Sequence, residues 1–188
     1  MTAKSAERTP APMVLAGSLP ERISHLALID GVIPPTDKGE NAAERMGMAL
    51  QAQLDLREKR KPVYTTLERA IEARMKGLVA VSREAAEQLA QRGLMPVPGG
   101  YTWRTDNRLT LPSPLRLTEE QAMAFASRVS CPAHLVVAAD GMLARHPELL
   151  ERLPFSHEQL PGGHHLHLND KAGAGLVADC FNRFFAMP

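Results

Sequence analysis

The sequence predicts an α/β fold, a parallel sheet of about three strands covered by helices. Residues 25–30 read HLALID and residues 134–140 read HLVVAAD, two short apolar segments that each end in an aspartate. Apolar side chains at consecutive positions suit strands buried on both faces, the usual state of a parallel sheet. Segments of helical period lie between and after them, and that alternation favours parallel pairing with helices on the faces.

Taken in order, residues 13–19 read as the apolar end of a helix, stopped near Pro20. The strand HLALID follows, then a Pro/Gly connector, GVIPPTDKG. Residues 40–60 are almost all good helix formers, with Ala43, Met46, Leu50 and Leu54 at helical spacing. Thr65 and Glu68 have the spacing of a capping box ahead of Leu67, Ile71 and Met75. Ser82 suits the N-cap of a helix that Gly93 would end. Residues 95–114, with PVPGGYTWRTDNR, read as a loop. Thr118 and Gln121 make a second capping box, opening a helix with Met123, Phe125 and Ala126 inward. After HLVVAAD comes a helix with Pro147 in its first turn, and residues 155–160 suit a short strand before PGG. Leu176, Val177, Cys180, Phe181, Phe184 and Phe185 form one wide apolar stripe on a closing helix.

Composition excludes several classes. With 22 basic and 21 acidic side chains in 188 residues, no long-range field draws in nucleic acid or anionic lipid. Aromatics at 4% argue against a base-stacking platform. Two cysteines, Cys131 and Cys180, make no disulfide scaffold and have no partner at zinc-motif spacing. No apolar run approaches the ~18 residues that a membrane span requires. Residues 1–12 read as a polar tail without a secretory leader's apolar run, so a cytoplasmic location is expected.

In open α/β sheets, function gathers in loops beyond the carboxyl ends of strands. Asp140 ends one strand and His164 follows another, in LPGGHHLHLND. A carboxylate and an imidazole so presented suit the rear members of a nucleophile–base–acid triad. The acid fixes the imidazole's tautomer and the imidazole takes the nucleophile's proton. Asp140 is read as the acid and His164 as the base. Asp30 also ends a strand and is a second candidate acid, although a turn role suits it better. Asp140 also suits a helix cap, and His164 a solvated loop histidine. His165 and His167 suit supporting roles, and a metal held by His164, His165, His167 and Asp170 is a minor alternative. The catalytic set as read needs no metal, and no cofactor is expected. Trp103, Arg104, Asp106 and Arg108 read as a cluster that pins the neighbouring segment or lines a mouth.

The segments LPERISHLALIDG, GGYTWRTDNRL, LTEEQ, CPAHLVVAADGML and LPGGHHLHLND, in this order, resemble the C-terminal half of a bacterial α/β-hydrolase, nearest the serine hydrolase-like proteins. The resemblance implies a partial α/β-hydrolase fold. Residues 1–12 would be a tail outside it and residues 13–33 the end of the nucleophile helix plus a strand. Residues 34–114 would be a helical cap, and residues 115–188 the C-terminal core bearing the acid and histidine loops. It also implies Asp140 as acid, His164 as base and a small ester-like or acyl substrate.

The family's nucleophile is a serine in G-x-S-x-G, where glycines permit a tight, strained turn. None of the eight serines here has glycine at both minus two and plus two. Ser5 lies nearest the expected place, in the frame AKSAE. The expectation is therefore a hydrolase chain without its nucleophile, inactive alone. The alternative is a non-catalytic fragment that pairs with a complementary half, or with itself, through an exposed sheet edge.

Overall fold

The computed structural model describes residues 11–56, 58–77 and 79–186. Of the tail expected over residues 1–12, residues 1–10 lie outside these, and Ala11 and Pro12 already belong to a helix. The chain divides into two units. One holds Asn41–Leu115 and Leu168–Asp170; the other holds residues 11–40, Arg116–His167 and residues 171–186.

The second unit is built on a parallel sheet. Its strands are β1 (Leu26–Ile29), β4 (Ala133–Ala138) and β5 (Ser156–Leu160), in the order β1-β4-β5. Leu28 pairs with Leu135 and Ile29 with Val136 in one ladder; His134 pairs with Ser156 and Val136 with Glu158 in the other. Because successive side chains point to opposite faces, Leu26, Leu28, Leu135 and Val137 share one side. There they pack with Met13 and Ala16 of α1 (Ala11–Ser18) and Ala126 of α5 (Glu119–Ser127). These two helices touch closely, since a Cβ on Gly17 would stand 2.2 Å from the Phe125 carbonyl oxygen. The capping box of Thr118 and Gln121 is formed at the start of α5. On the other face Val136, Ala138 and Leu160 meet Val177 and Cys180 of α8 (Lys171–Phe185). Both faces of the sheet are thus covered, which explains the continuous apolar text of HLALID and HLVVAAD. α6 (Pro147–Arg152) has its proline in the first turn, and α7 (Leu166–Asn169) is a short helix not foreseen from the sequence.

The first unit comprises α2 (Ala42–Asp55), α3 (Leu67–Met75), α4 (Arg83–Gly93), β2 (Leu94–Val97) and β3 (Gly100–Trp103). Ala70, Ile71, Val81, Ala85, Ala86, Ala90 and Leu94 form its core. Ser82 caps α4 by accepting from the Ala85 amide. α3 starts one residue later than its sequence spacing indicates, because Thr66 and not Thr65 accepts from Arg69. The segment expected as a loop over residues 95–114 begins as an antiparallel hairpin of β2 and β3, turned at Gly99 with φ of +87°. On α2, Leu50 and Leu54 are exposed and Ala49 is the buried residue, so the expected stripe does not face this unit's core.

Candidate active site

Asp30 follows β1 directly and has φ of +42°, the one positive φ outside glycine among the described residues. Left-handed backbone costs an L-residue roughly 1–2 kcal/mol, and such strain persists where the surroundings over-determine it. The surroundings here do so. The side chain is fully buried, the Ala138 amide donates to Oδ1 at 3.2 Å, and the Met142 amide donates to Oδ2 at 3.1 Å. A buried carboxylate is tolerable only with such donors.

Room for it comes from Gly141, where a Cβ would stand 2.3 Å from Oδ2 and 2.5 Å from Oδ1 of Asp30. That glycine, in AADG, clears space for a carboxylate arriving from the neighbouring strand.

The third partner is His164, whose Nδ1 lies 2.8 Å from Asp30 Oδ2, with the His164 side chain 26% exposed. A carboxylate already holding two amide donors accepts from Nδ1–H. In a neutral imidazole this leaves the Nε2 lone pair free. The loop presenting His164 is tied down by its own backbone. The Asp140 amide donates to the Gly162 carbonyl at 2.9 Å, and the Leu166 amide to that of Gly163 at 2.8 Å. Gly162 has φ of +113°, which favours glycine there.

The expected partner of His164 was Asp140, and here the structure differs. The carboxylate bonded to His164 is that of Asp30. Asp140 is exposed, and among the described residues its carboxylate makes no hydrogen bond to His164. Asp140 contributes its amide, which fastens the histidine loop. Both aspartates end strands and precede glycine, so local text does not separate them. The separating fact is register. With Ile29 opposite Val136, the residue after β1 arrives beside Ala138–Met142, where two amides await it.

Two further histidines, His165 and His167, follow His164 in the same segment. The His164 and His165 rings have centroids 4.9 Å apart, and His167 is held below the usual histidine range by burial and then by the charge of His164. Among the described residues, the expected set of His164, His165, His167 and Asp170 is not a group that gathers ligand atoms for a metal. Of the RTDNR cluster, Asp106 pairs with Arg108 at 2.7 Å, while Lys61 donates to the Trp103 carbonyl and Arg104 to that of Leu94. Among the described residues no serine hydroxyl is bonded to His164, and Ser5 lies outside them.

No family model matches the chain. It is 26% identical over 175 residues to a serine hydrolase-like protein of Danio rerio, an overlap of 85% of this chain and 53% of that protein. Among solved structures, a hypothetical protein from Pseudomonas aeruginosa PAO1 is similar with a TM-score of 0.89 and 63% identity, over 93% of this chain and 63% of its own. A thioesterase domain from the curacin biosynthetic pathway is similar with a TM-score of 0.68 at 23% identity, over 91% of this chain and 62% of its own. The chain therefore spans about half the length of the curated relative that it matches. In its parallel sheet, covering helices and these likenesses, the chain has a partial α/β-hydrolase fold and is similar to the serine hydrolase-like proteins.

Proposed function

We propose that this chain supplies the base and the orienting acid of a serine hydrolase acting on small ester-like or acyl substrates. The observation that carries the reading is the 2.8 Å bond between His164 and the buried Asp30, formed beyond the strand ends of an α/β-hydrolase fold. In this reading Nε2 of His164 takes the proton of a serine hydroxyl as it attacks the acyl carbon. The imidazolium then gives that proton to the leaving oxygen or sulfur, and water repeats the cycle on the acyl-enzyme. Asp30 holds the neutral imidazole in its Nδ1–H tautomer, which turns the Nε2 lone pair outward, and stabilises the imidazolium when it forms. Nucleophile and oxyanion donors are assigned to a segment outside the described residues, in keeping with the 53% of the curated relative that the chain matches. The unit holding Asn41–Leu115 is inserted in sequence between β1 and α5, and the proposal gives it the cap's part in choosing the acyl group.

The test joins this chain to the portion of the Pseudomonas aeruginosa protein that it does not cover, and offers p-nitrophenyl esters and a short acyl thioester. Hydrolysis that His164→Ala abolishes supports the reading, and full activity in that variant overturns it. The 188-residue chain alone is expected to resist a fluorophosphonate probe, whereas stoichiometric labelling of Ser5 would place the nucleophile within it.

A second reading has its own observation. Among the described residues β1 pairs only with β4, so one edge of the apolar strand LALI has no ladder partner. Bare strand edges invite pairing with another chain. On this reading the chain works by docking a complementary polypeptide there, and alone it self-associates. Size-exclusion chromatography with light scattering is expected to show oligomers, and a stable monomer would count against it.

A further inference from the structure

The amino-terminal end of the same sheet, opposite to the end bearing Asp30 and His164, holds a second group of chemically capable side chains. His134, in β4, pairs in register with Ser156 of β5, and Glu158 follows two residues later. Period-two alternation turns His134, Ser156 and Glu158 to the face covered by α8. From that helix comes Cys180, 2% exposed. Its Sγ lies 3.3 Å from His134 Nε2 and 3.6 Å from Glu158 Oε2, and the three ligand atoms all fall within 4.8 Å of one another.

Ser156 Oγ sits 3.1 Å from the Ala133 carbonyl oxygen and 2.7 Å from His134 Nδ1. A carbonyl only accepts, so the single hydroxyl proton goes to it and Ser156 Oγ accepts from Nδ1–H. His134 therefore presents the Nε2 lone pair to Cys180. Between Nε2, Sγ and Oε2 there is one proton, that of the thiol, for three electron-pair donors. Burial pushes the Cys180 thiol up and holds the His134 imidazole below its usual range.

We propose that His134, Glu158 and Cys180 bind a borderline divalent transition-metal ion of the zinc class. A tetrahedral ion with bonds of about 2.0–2.1 Å to nitrogen or oxygen and about 2.3 Å to sulfur sets ligand atoms roughly 3.5 Å apart. The two edges to Cys180 Sγ, 3.3 Å and 3.6 Å, match this spacing, and the edge between His134 and Glu158 lies within 4.8 Å, so the two side chains close on the ion as it binds. Thiolate and imidazole select zinc, cobalt or copper over magnesium and calcium. The outer partners suit the task too. Ser156 fixes the histidine tautomer, and Arg183, at 3.0 Å and 2.9 Å from the two Glu158 oxygens, orients the carboxylate while leaving it further lone pairs. Binding exchanges the thiol proton for the ion: Cys–SH and M²⁺ give a Cys–S–M bond and one proton released to water, with no change of oxidation state. The fourth position falls to water.

Cobalt titration of the chelator-treated full chain reads this directly. One equivalent of Co²⁺ is expected to raise a thiolate-to-cobalt charge-transfer band in the near ultraviolet, which Zn²⁺ then removes. Cys180→Ser should abolish the band, Cys131→Ser should keep it, and Glu158→Gln should weaken binding by roughly 10-fold or more. In the unaltered chain, Zn²⁺ but not Mg²⁺ should slow iodoacetamide labelling of Cys180, so the test stands even where a variant fails to fold. Absence of the band, its survival in Cys180→Ser, or labelling rates indifferent to Zn²⁺ would each overturn the proposal.

Discussion

His164 Nδ1 lies 2.8 Å from Oδ2 of Asp30, a carboxylate buried completely and held by the amides of Ala138 and Met142. This holds the imidazole in one orientation, which the proposed role of general base requires. The prediction is a tautomer. In nitrogen-15 NMR of the neutral protein, His164 should carry its proton on Nδ1, and Asp30→Asn should disturb that preference. A His164 protonated on Nε2 in the unaltered chain would contradict the arrangement.

Gly141 is predicted to matter through Asp30 and not through its own flexibility, since its φ is not positive and the conflict is purely one of space. Gly141→Ala should destabilise the protein by about 1–3 kcal/mol, the usual range for overpacking. In an Asp30→Gly background the same change should cost much less, because the carboxylate it strikes is gone. Equal costs in the two backgrounds, read by urea unfolding, would refute this coupling.

The pair Asp106 and Arg108 offers a pH prediction. The Arg108 guanidinium, helped by its amide, lowers the Asp106 carboxyl from 3.8 to about 2. The sign follows from linkage. A carboxylate lowered in the folded state contributes stability above its unfolded value, and that contribution disappears as pH falls through the folded one. NMR titration should place the Asp106 midpoint near 2 in the unaltered chain, and Arg108→Ala should return it towards 3.8. An unchanged midpoint would show that the pair is not formed in solution.

Much of the sheet unit was legible because its strands carry their burial openly. LALI and AHLVVA are largely apolar, and the cap at Thr118 stands at its expected position, as does the cap at Ser82 in the other unit. The hairpin was not legible, since Pro96 lies within β2 and Pro98, Gly99 and Gly100 read as loop. Gly100 is required there because a Cβ would meet the Tyr64 carbonyl oxygen at 2.0 Å. His164 could be found from its Gly–Gly turn. Its carboxylate partner could not, because Asp30 and Asp140 have the same local grammar and differ only in what the β1–β4 register places around them. His134, Glu158 and Cys180 were invisible for a related reason. They stand on three separate elements, and their meeting depends on the strand register and on the face that α8 presents.

The carboxylate that serves His164 is central to the proposed function, and ester hydrolysis by this chain joined to the complementary portion of the Pseudomonas aeruginosa protein tests which one it is. Asp30→Asn should lower kcat by about 10⁴-fold, as loss of an orienting acid does, while Asp140→Asn should stay within a few-fold of the unaltered enzyme. The reverse pattern, with Asp140→Asn inactive and Asp30→Asn near full activity, would contradict it.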